Sequence, residues 1–167
     1  MTELALDKKK LIIQWYKDYA SQLFSYLVLL VSSHSDAEDL LQDVFSDMIR
    51  KGIDPERIRR PKSFVYRLAR NKANDLLRKR YIRKELPFNP VVHDRGATEE
   101  PRYILNNMLN WALSQLSELE RETVVLKAYE GMTFREVAYV TGSLLPTVAS
   151  RYLRGIAHLK RLLKEEL

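Results

Sequence analysis

Five carboxylates, Asp36, Glu38, Asp39, Asp43 and Asp47, fall within twelve residues with no Lys or Arg among them. Carboxylates that close could share protons for acid–base chemistry or hold a metal ion. No histidine, cysteine or glycine-rich loop lies among them to complete such a site. An acidic stripe of this kind serves solvation or docking onto a basic protein partner. The next stretch has the opposite chemistry. From Arg57 to Glu85 there are twelve Lys or Arg against two acids, Asp75 and Glu85, with Phe64, Tyr66 and Tyr81 interleaved. Cationic side chains neutralise phosphates and aromatic faces stack unpaired bases, so this stretch points to nucleic acid. A third polar set, Thr147, Ser150, Arg151, Arg154, His158 and Arg161, recurs at helical spacing near the end of the chain.

The elements that carry these sets read as helices. Leu11 to Val31 is apolar at helical spacing (Leu11, Ile12, Trp15, Tyr19, Leu23, Leu27, Leu30), with apolar residues on more than one face near its end, which predicts deep burial there. Trp15 and Tyr19 are expected in the core. Met1 to Lys10 is polar and is expected to fray. Ser35 and Glu38 have capping-box spacing and are expected to open the acidic helix. Leu40, Leu41, Val44, Phe45 and Met48 form its apolar stripe, and Gly52 ends it. After Pro55, Pro61 opens a long helix through Glu85 with an inner stripe of Val65, Leu68, Ala69, Ala73, Leu76 and Leu77.

Leu86 to Pro101 holds Pro87, Pro90, Gly96 and Pro101 without periodicity and reads as a linker. Helical spacing resumes from Tyr103 through Leu105, Met108, Leu109, Trp111, Ala112 and Leu116. Ser117 with Glu120 predicts a further box, followed by Val124, Val125, Ala128 and Tyr129 before Gly131. Thr133 with Glu136 predicts another, and Gly142 a left-handed cap. Pro146 suits the first turn of the last helix, whose Val148, Tyr152, Ile156, Leu159 and Leu163 face inward, opposite the third polar set. A short helix, a glycine turn and a polar-basic second helix make a helix-turn-helix. The fold class is therefore all-α: two small helical domains, 8–85 and 102–167, joined by a linker over 86–101, the C-terminal one a helix-turn-helix.

Composition sets the frame. The chain has 167 residues, 46% of them hydrophobic, which allows a packed core, and a net charge of +6 that favours a polyanionic partner. It has no cysteine, so disulfides and Cys-ligated zinc are excluded, and its three histidines lie far apart in sequence. The run from Leu23 to Val31 is too short to span a bilayer and contains Ser25 and Tyr26. With no signal-peptide pattern at the N-terminus, the expectation is a soluble cytoplasmic protein without membrane insertion. No cofactor and no catalytic or metal residue is expected.

The order of these features is more informative than any one of them. DAEDLLQDVF, SFVYRLARNKANDLLRKR, a Pro-containing linker, LSQLSELERETVVLKAYEGMTFREVA and TVASRYLRGIAHLKRLL together resemble the extracytoplasmic-function sigma factors, over roughly Leu11 to Leu163. The resemblance implies a non-enzymatic subunit that docks on core RNA polymerase and directs it to promoters. Asp36, Glu38, Asp39, Leu40, Gln42, Asp43 and Phe45 match the segment that meets the polymerase clamp helices. Arg59, Arg60, Lys62, Ser63, Tyr66, Arg67, Asn71 and Asn74 match the reader of the promoter −10 element, which holds a flipped-out base. Asn71 and Asp75 have an alternative use as a cap or ion pair within the helix. Arg135, Thr147, Ser150, Arg151 and Arg154 match the −35 reader. Core RNA polymerase and promoter DNA are the implied partners, and an anti-sigma protein is a further one the family allows.

Three departures from the family pattern stand out. Ala149 replaces a frequent Lys, Phe64 stands where Trp is common, and Leu144 is a poor cap, which leaves Ser143 as the alternative. The competing reading is a stand-alone helix-turn-helix regulator of duplex DNA. Such proteins commonly dimerise, and this chain shows no added dimerisation element, while its acidic helix would lack a purpose.

Overall fold

A computed structural model of the chain describes residues 3–83 and 107–165. The described residues are helical, with no strand among them, and fall into two compact units, one within Met1–Ala97 and one within Thr98–Leu167. The stretch expected to be a linker, 86–101, lies outside the described residues.

The first unit holds α1 (Glu3–Val31), α2 (His34–Arg50), a single 3₁₀ turn (Pro55–Arg57) and α3 (Pro61–Ile82). α1 packs against both α2 and α3. Its C-terminal half therefore buries more than one face, through Leu23, Ser25, Tyr26, Leu27, Val28 and Val31. Trp15 is buried as expected, while Tyr19 is only half-buried. Tyr26 stacks on Tyr66 of α3 with ring centroids 5.1 Å apart. Such a pair adds about 0.5–1.5 kcal/mol beyond the burial of the two rings. The expectation of a frayed N-terminus fails from Glu3 onward, because α1 is helical there. Lys8 explains part of this: its ammonium meets the Asp54 carboxylate at 3.0 Å and ties the early turns of α1 to the segment after α2. Lys8 also holds the Asp54 carboxyl below its ordinary pKa.

The cap of α2 also differs from expectation. The helix begins at His34, and its N-cap is Ser33, whose hydroxyl accepts from the Asp36 N–H at 3.3 Å. Ser35 is inside the first turn and exposed. Both serines precede an acid by three residues, so spacing could not separate them. The extended backbone of Ser33 (φ −147°, ψ 123°) decides the matter, since an N-cap must lie outside helical dihedrals. At the other end, Gly52 takes φ +63°. Its N–H donates to Ile49 O, and that of Ile53 to Met48 O, the two bonds of a Schellman motif.

The second unit holds α4 (Asn107–Ser114), α5 (Glu118–Val124), one π turn (Val125–Tyr129), α6 (Phe134–Thr141) and α7 (Leu145–Glu165). α4, α5 and α6 all pack against α7. Ala112, Leu116, Val124 and Leu159 form a buried cluster, with Leu113, Tyr152, Ile156, Leu162 and Leu163 packed on it. The π turn shifts the helical register over residues 124–129. Glu130 N–H donates to Val125 O, five residues back, so the turn holds an extra residue. Val124, Val125 and Leu126 remain buried, whereas Ala128 and Tyr129 face outward. Trp111 of α4 is exposed.

Arg121 is a structural residue that the sequence did not mark. Its Nε donates to Leu113 O at 2.8 Å, and its Nη2 donates to Ser114 O and Leu116 O at 3.0 and 3.1 Å. One guanidinium thus gathers three carbonyls at and just past the end of α4. Burial pulls its pKa below the ordinary arginine value, against the pull of Glu118. Gly155 lets α7 approach α5 closely: a Cβ there would sit 2.7 Å from Val124 Cγ2.

Candidate nucleic-acid and partner interfaces

The acidic helix α2 divides its carboxylates between two tasks. Asp36 is gripped by Arg80 of α3 through a two-pronged bond, Nη1–Oδ2 at 2.6 Å and Nη2–Oδ1 at 2.7 Å. Asp47 receives Lys72 Nζ at 2.6 Å. Both carboxyls are held below their ordinary pKa, Asp36 chiefly by the Arg80 bond and Asp47 chiefly by the Lys72 bond. These two acids fasten α2 to α3. Glu38, Asp39, Gln42 and Asp43 are exposed, and their spacing places them on one face of the helix. Leu40 and Phe45, expected in the docking set, are instead buried, and Phe45 meets the Tyr16 ring edge-on at 5.1 Å. The outward surface of α2 is therefore narrower than the seven-residue match, and its character is acidic.

The basic stretch undergoes a similar sorting. Arg80 and Lys72 are engaged by α2. Arg59 and Arg60 are exposed in the segment leading into α3. Arg60 is the N-cap residue, and no side chain caps the helix there. The first-turn N–H groups of α3 thus add a partial positive charge beside Arg59, Arg60 and Lys62. Arg67, Asn71 and Asn74 follow at helical spacing, half-buried, exposed and half-buried in turn. Asp75 sits 3.5 Å from Arg78, the ion pair that spacing offered as its alternative role.

Two expected readers of the basic stretch lie inside the unit. Tyr66 is fully buried against Tyr26, with Lys62 Nζ 5.8 Å from its ring centroid. Ser63 is buried and donates to Arg60 O at 3.3 Å. Neither offers a surface for stacking or for contacting a base. Packing against α1 overrides the polar character of both.

In the second unit α6 and α7 form the expected helix-turn-helix. The Thr133–Glu136 box is complete: Thr133 Oγ1 accepts from Glu136 N–H at 3.1 Å, and Glu136 Oε2 accepts from Thr133 N–H at 2.8 Å. Gly142 closes α6 at φ +65°, a left-handed conformation that favours glycine. Arg135, Ser150 and Arg154 are exposed and Thr147 is half-buried. Arg151 is half-buried, and its Nη1 donates to Ser143 Oγ in the turn at 2.8 Å. The N-cap position of α7 is Leu144, whose carbonyl accepts from Val148 N–H at 3.1 Å, so Ser143 lies one residue before it. His158 is turned toward α5, with Nδ1 4.0 Å from Glu120 Oε2, so it leaves the outer polar face.

Among the described residues no group of three or more His, Asp or Glu could hold a metal ion, and no helix is long and apolar enough to cross a membrane. The arrangement supplies an exposed acidic stripe, a cationic helix entry and a helix-turn-helix with an exposed polar-basic edge. Such surfaces suit a two-part DNA-binding protein that also docks on another protein.

The comparisons with known proteins give the family. Sigma-70 region 2 matches residues 15–81, and Sigma-70 region 4 matches residues 108–159. The RNA polymerase sigma factor CarQ of Myxococcus xanthus is 31% identical over 152 residues, covering 88% of this chain and 86% of that relative. Among solved structures, the sigma factor RpoE in complex with the anti-sigma factor NepR from Bartonella quintana is similar at TM-score 0.71 and 26% identity, covering 90% of this chain and 95% of that one. CnrH in complex with the cytosolic domain of CnrY is similar at TM-score 0.65 and 25% identity, covering 98% and 97%. The chain belongs to the sigma-70 family, within its extracytoplasmic-function group. Its function is that of an RNA polymerase sigma factor, which directs the core enzyme to promoters. A stand-alone regulator is not favoured, because region 2 and region 4 occur here in one chain and in that order.

Proposed function

We propose a division of labour among the three surfaces. Glu38, Asp39, Gln42 and Asp43 dock on core RNA polymerase, while Asp36 and Asp47 hold that helix in place from behind. Arg59, Arg60, Lys62, Arg67, Asn71 and Asn74 engage the promoter −10 element, with Tyr66 and Ser63 shaping the helix from inside. Arg135, Thr147, Ser150, Arg151 and Arg154 engage the −35 element, in a domain spanning 102–167 after the 86–101 linker. The chain acts as a non-catalytic cytoplasmic subunit without a cofactor. An anti-sigma protein, of the kind bound to the two solved relatives, is proposed to hold it inactive.

The observation that carries this reading is the sorting of α2. Its inward acids are paired with α3, and its outward acids form one continuous face. A basic partner surface would find those acids accessible, already fixed in orientation by the pairs beneath. The test is binding of the full chain to bacterial core RNA polymerase, alongside an Asp39→Arg, Asp43→Arg double variant. Charge reversal at the face is expected to weaken core binding by about tenfold or more. Its circular-dichroism spectrum and melting temperature should stay near wild type, since both residues are exposed. Unchanged core binding would remove the acidic face from the interface.

A further inference from the structure

We propose that Ser143, in the turn of the helix-turn-helix, is a positioning residue that sets the orientation of Arg151 for reading a base of the −35 element. The inference rests on the reading of Arg151 as a −35 contact. It adds a residue that does not itself touch DNA and that the family match did not single out.

The geometry consists of one bond and what that bond leaves over. Arg151 Nη1 donates to Ser143 Oγ at 2.8 Å, across eight positions of sequence, from the second turn of α7 back to the turn before it. Ser143 follows Gly142, whose left-handed backbone fixes where the turn departs from α6. The Ser143 N–H donates to Ala138 O at 3.2 Å, which anchors its backbone to α6. The hydroxyl is therefore mounted on a constrained segment. Leu144 O accepts the first helical bond of α7, from Val148 N–H at 3.1 Å, so Ser143 lies just outside the helix and its oxygen is available to the arginine.

An arginine side chain has high rotamer entropy, and a base contact made by a loose arginine must first restrain it. A guanidinium presents two usable forks. With Nη1 engaged by Ser143, the Nε–Nη2 edge is left, and it makes no second bond to a described residue. That edge has the two-donor spacing that matches guanine O6 and N7. Arg151 is half-buried, whereas its neighbours Ser150 and Arg154 are exposed. The side chain thus reaches back to the turn while part of it stays open to solvent.

The experiment uses holoenzyme assembled from the full chain and core polymerase. The probe is a pool of duplex promoters randomised over the −35 region, with bound sequences counted. Arg151→Ala is expected to flatten the preference at one position by about tenfold. Ser143→Ala should weaken the same position by about threefold and leave the others unchanged, and Ser143→Thr, which keeps the hydroxyl, should restore it. Ser143→Ala together with Arg151→Ala should lose no more than Arg151→Ala alone. Ser143→Cys, similar in volume with a weaker acceptor, replaces the alanine variant if the latter melts early. If Arg151→Ala flattens a position that Ser143→Ala and Ser143→Cys leave intact, the positioning role is overturned while the −35 reading of Arg151 stands. If Arg151→Ala weakens all sequences equally or none, the reading of Arg151 itself falls and the positioning role falls with it. A uniform loss across sequences on Ser143→Ala, tracking a lower melting temperature, would mark Ser143 as merely structural.

Discussion

The two units solve the same problem, an all-helical fold that keeps polar faces exposed, by different means. The first uses long helices whose packing does most of the work. α1 spans 29 residues and α3 spans 22, and their side chains meet in a core that includes the fully buried Tyr26 and Tyr66. Packing of that extent leaves polar groups free for pairing between helices, and Asp36–Arg80 and Asp47–Lys72 do that. The second unit packs short elements against one long helix, α7, of 21 residues. α4 and α6 have eight residues each and α5 has seven. Isolated helices of that length are unstable in water, and their unpaired end groups are a large share of all their backbone groups. The unit accordingly satisfies its ends one by one: Ser117 caps α5, the Thr133–Glu136 box and Gly142 bracket α6, and Arg121 gathers three carbonyls at and just past the end of α4. The difference teaches that the burden on capping grows as helices shorten, while long helices shift it to tertiary contacts.

The contrast can be broken most directly at Tyr66. Tyr66→Ala removes a fully buried ring and is expected to destabilise the first unit by about 3–5 kcal/mol, read as a lower urea midpoint. Full stability together with lost promoter opening would return Tyr66 to the DNA surface and undo its placement in the core. Arg121→Ala tests the capping side. It strips three carbonyls of a charged donor and should lower the stability of the second unit by about 1.5–3 kcal/mol. Arg121→Lys should recover little of this, because a single ammonium cannot span the three oxygens as the guanidinium does.

Gly155→Ala sharpens the same side. The added methyl meets Val124, whose branched side chain is buried and has little room to move. Overpacking costs about 1–3 kcal/mol, offset by up to about 1 kcal/mol of helix propensity, for a net loss of about 1 kcal/mol. Adding Val124→Ala should give less than the sum of the two single losses. A Gly155→Ala variant more stable than wild type would show that α7 does not need the close approach.

The smallest expected effect concerns pH. The folded pKa of Asp36 is lowered by Arg80, so the unfolded chain takes up the proton first as the medium is acidified. The contribution of the pair is full above the ordinary Asp value of about 4 and is lost as pH falls through the lower folded value. Asp36→Asn should cost about 1 kcal/mol or less at neutral pH, given solvent screening, and should make the first unit's stability less steep in acid. An acid limb of unchanged slope would mean that Arg80 gives Asp36 no net stabilisation.

Features within one or two turns of sequence were legible in advance. The Thr133–Glu136 box, the Gly52 and Gly142 ends and the apolar stripe of α2 each depend on residues a few positions apart. Ser33 and Ser35 mark the limit of that reach, since the same spacing fits both and only the backbone dihedrals choose. The candidate surfaces were legible as charge, in that an acidic run and a basic run can be counted. Which members of each run face outward was not.

The sequence by itself determined the helices, their order and the sign of each face, because helical periodicity, caps and charge are local properties. Only the tertiary structure decided that Asp36 and Asp47 are bound by cations 44 and 25 residues away. It also decided that Tyr66 and Ser63 belong to the core and that Arg151 is held by Ser143. Burial and pairing depend on which helix lies across which. A side chain on the flank of a helix turns inward or outward according to the neighbour it meets, and no periodicity within its own helix carries that information.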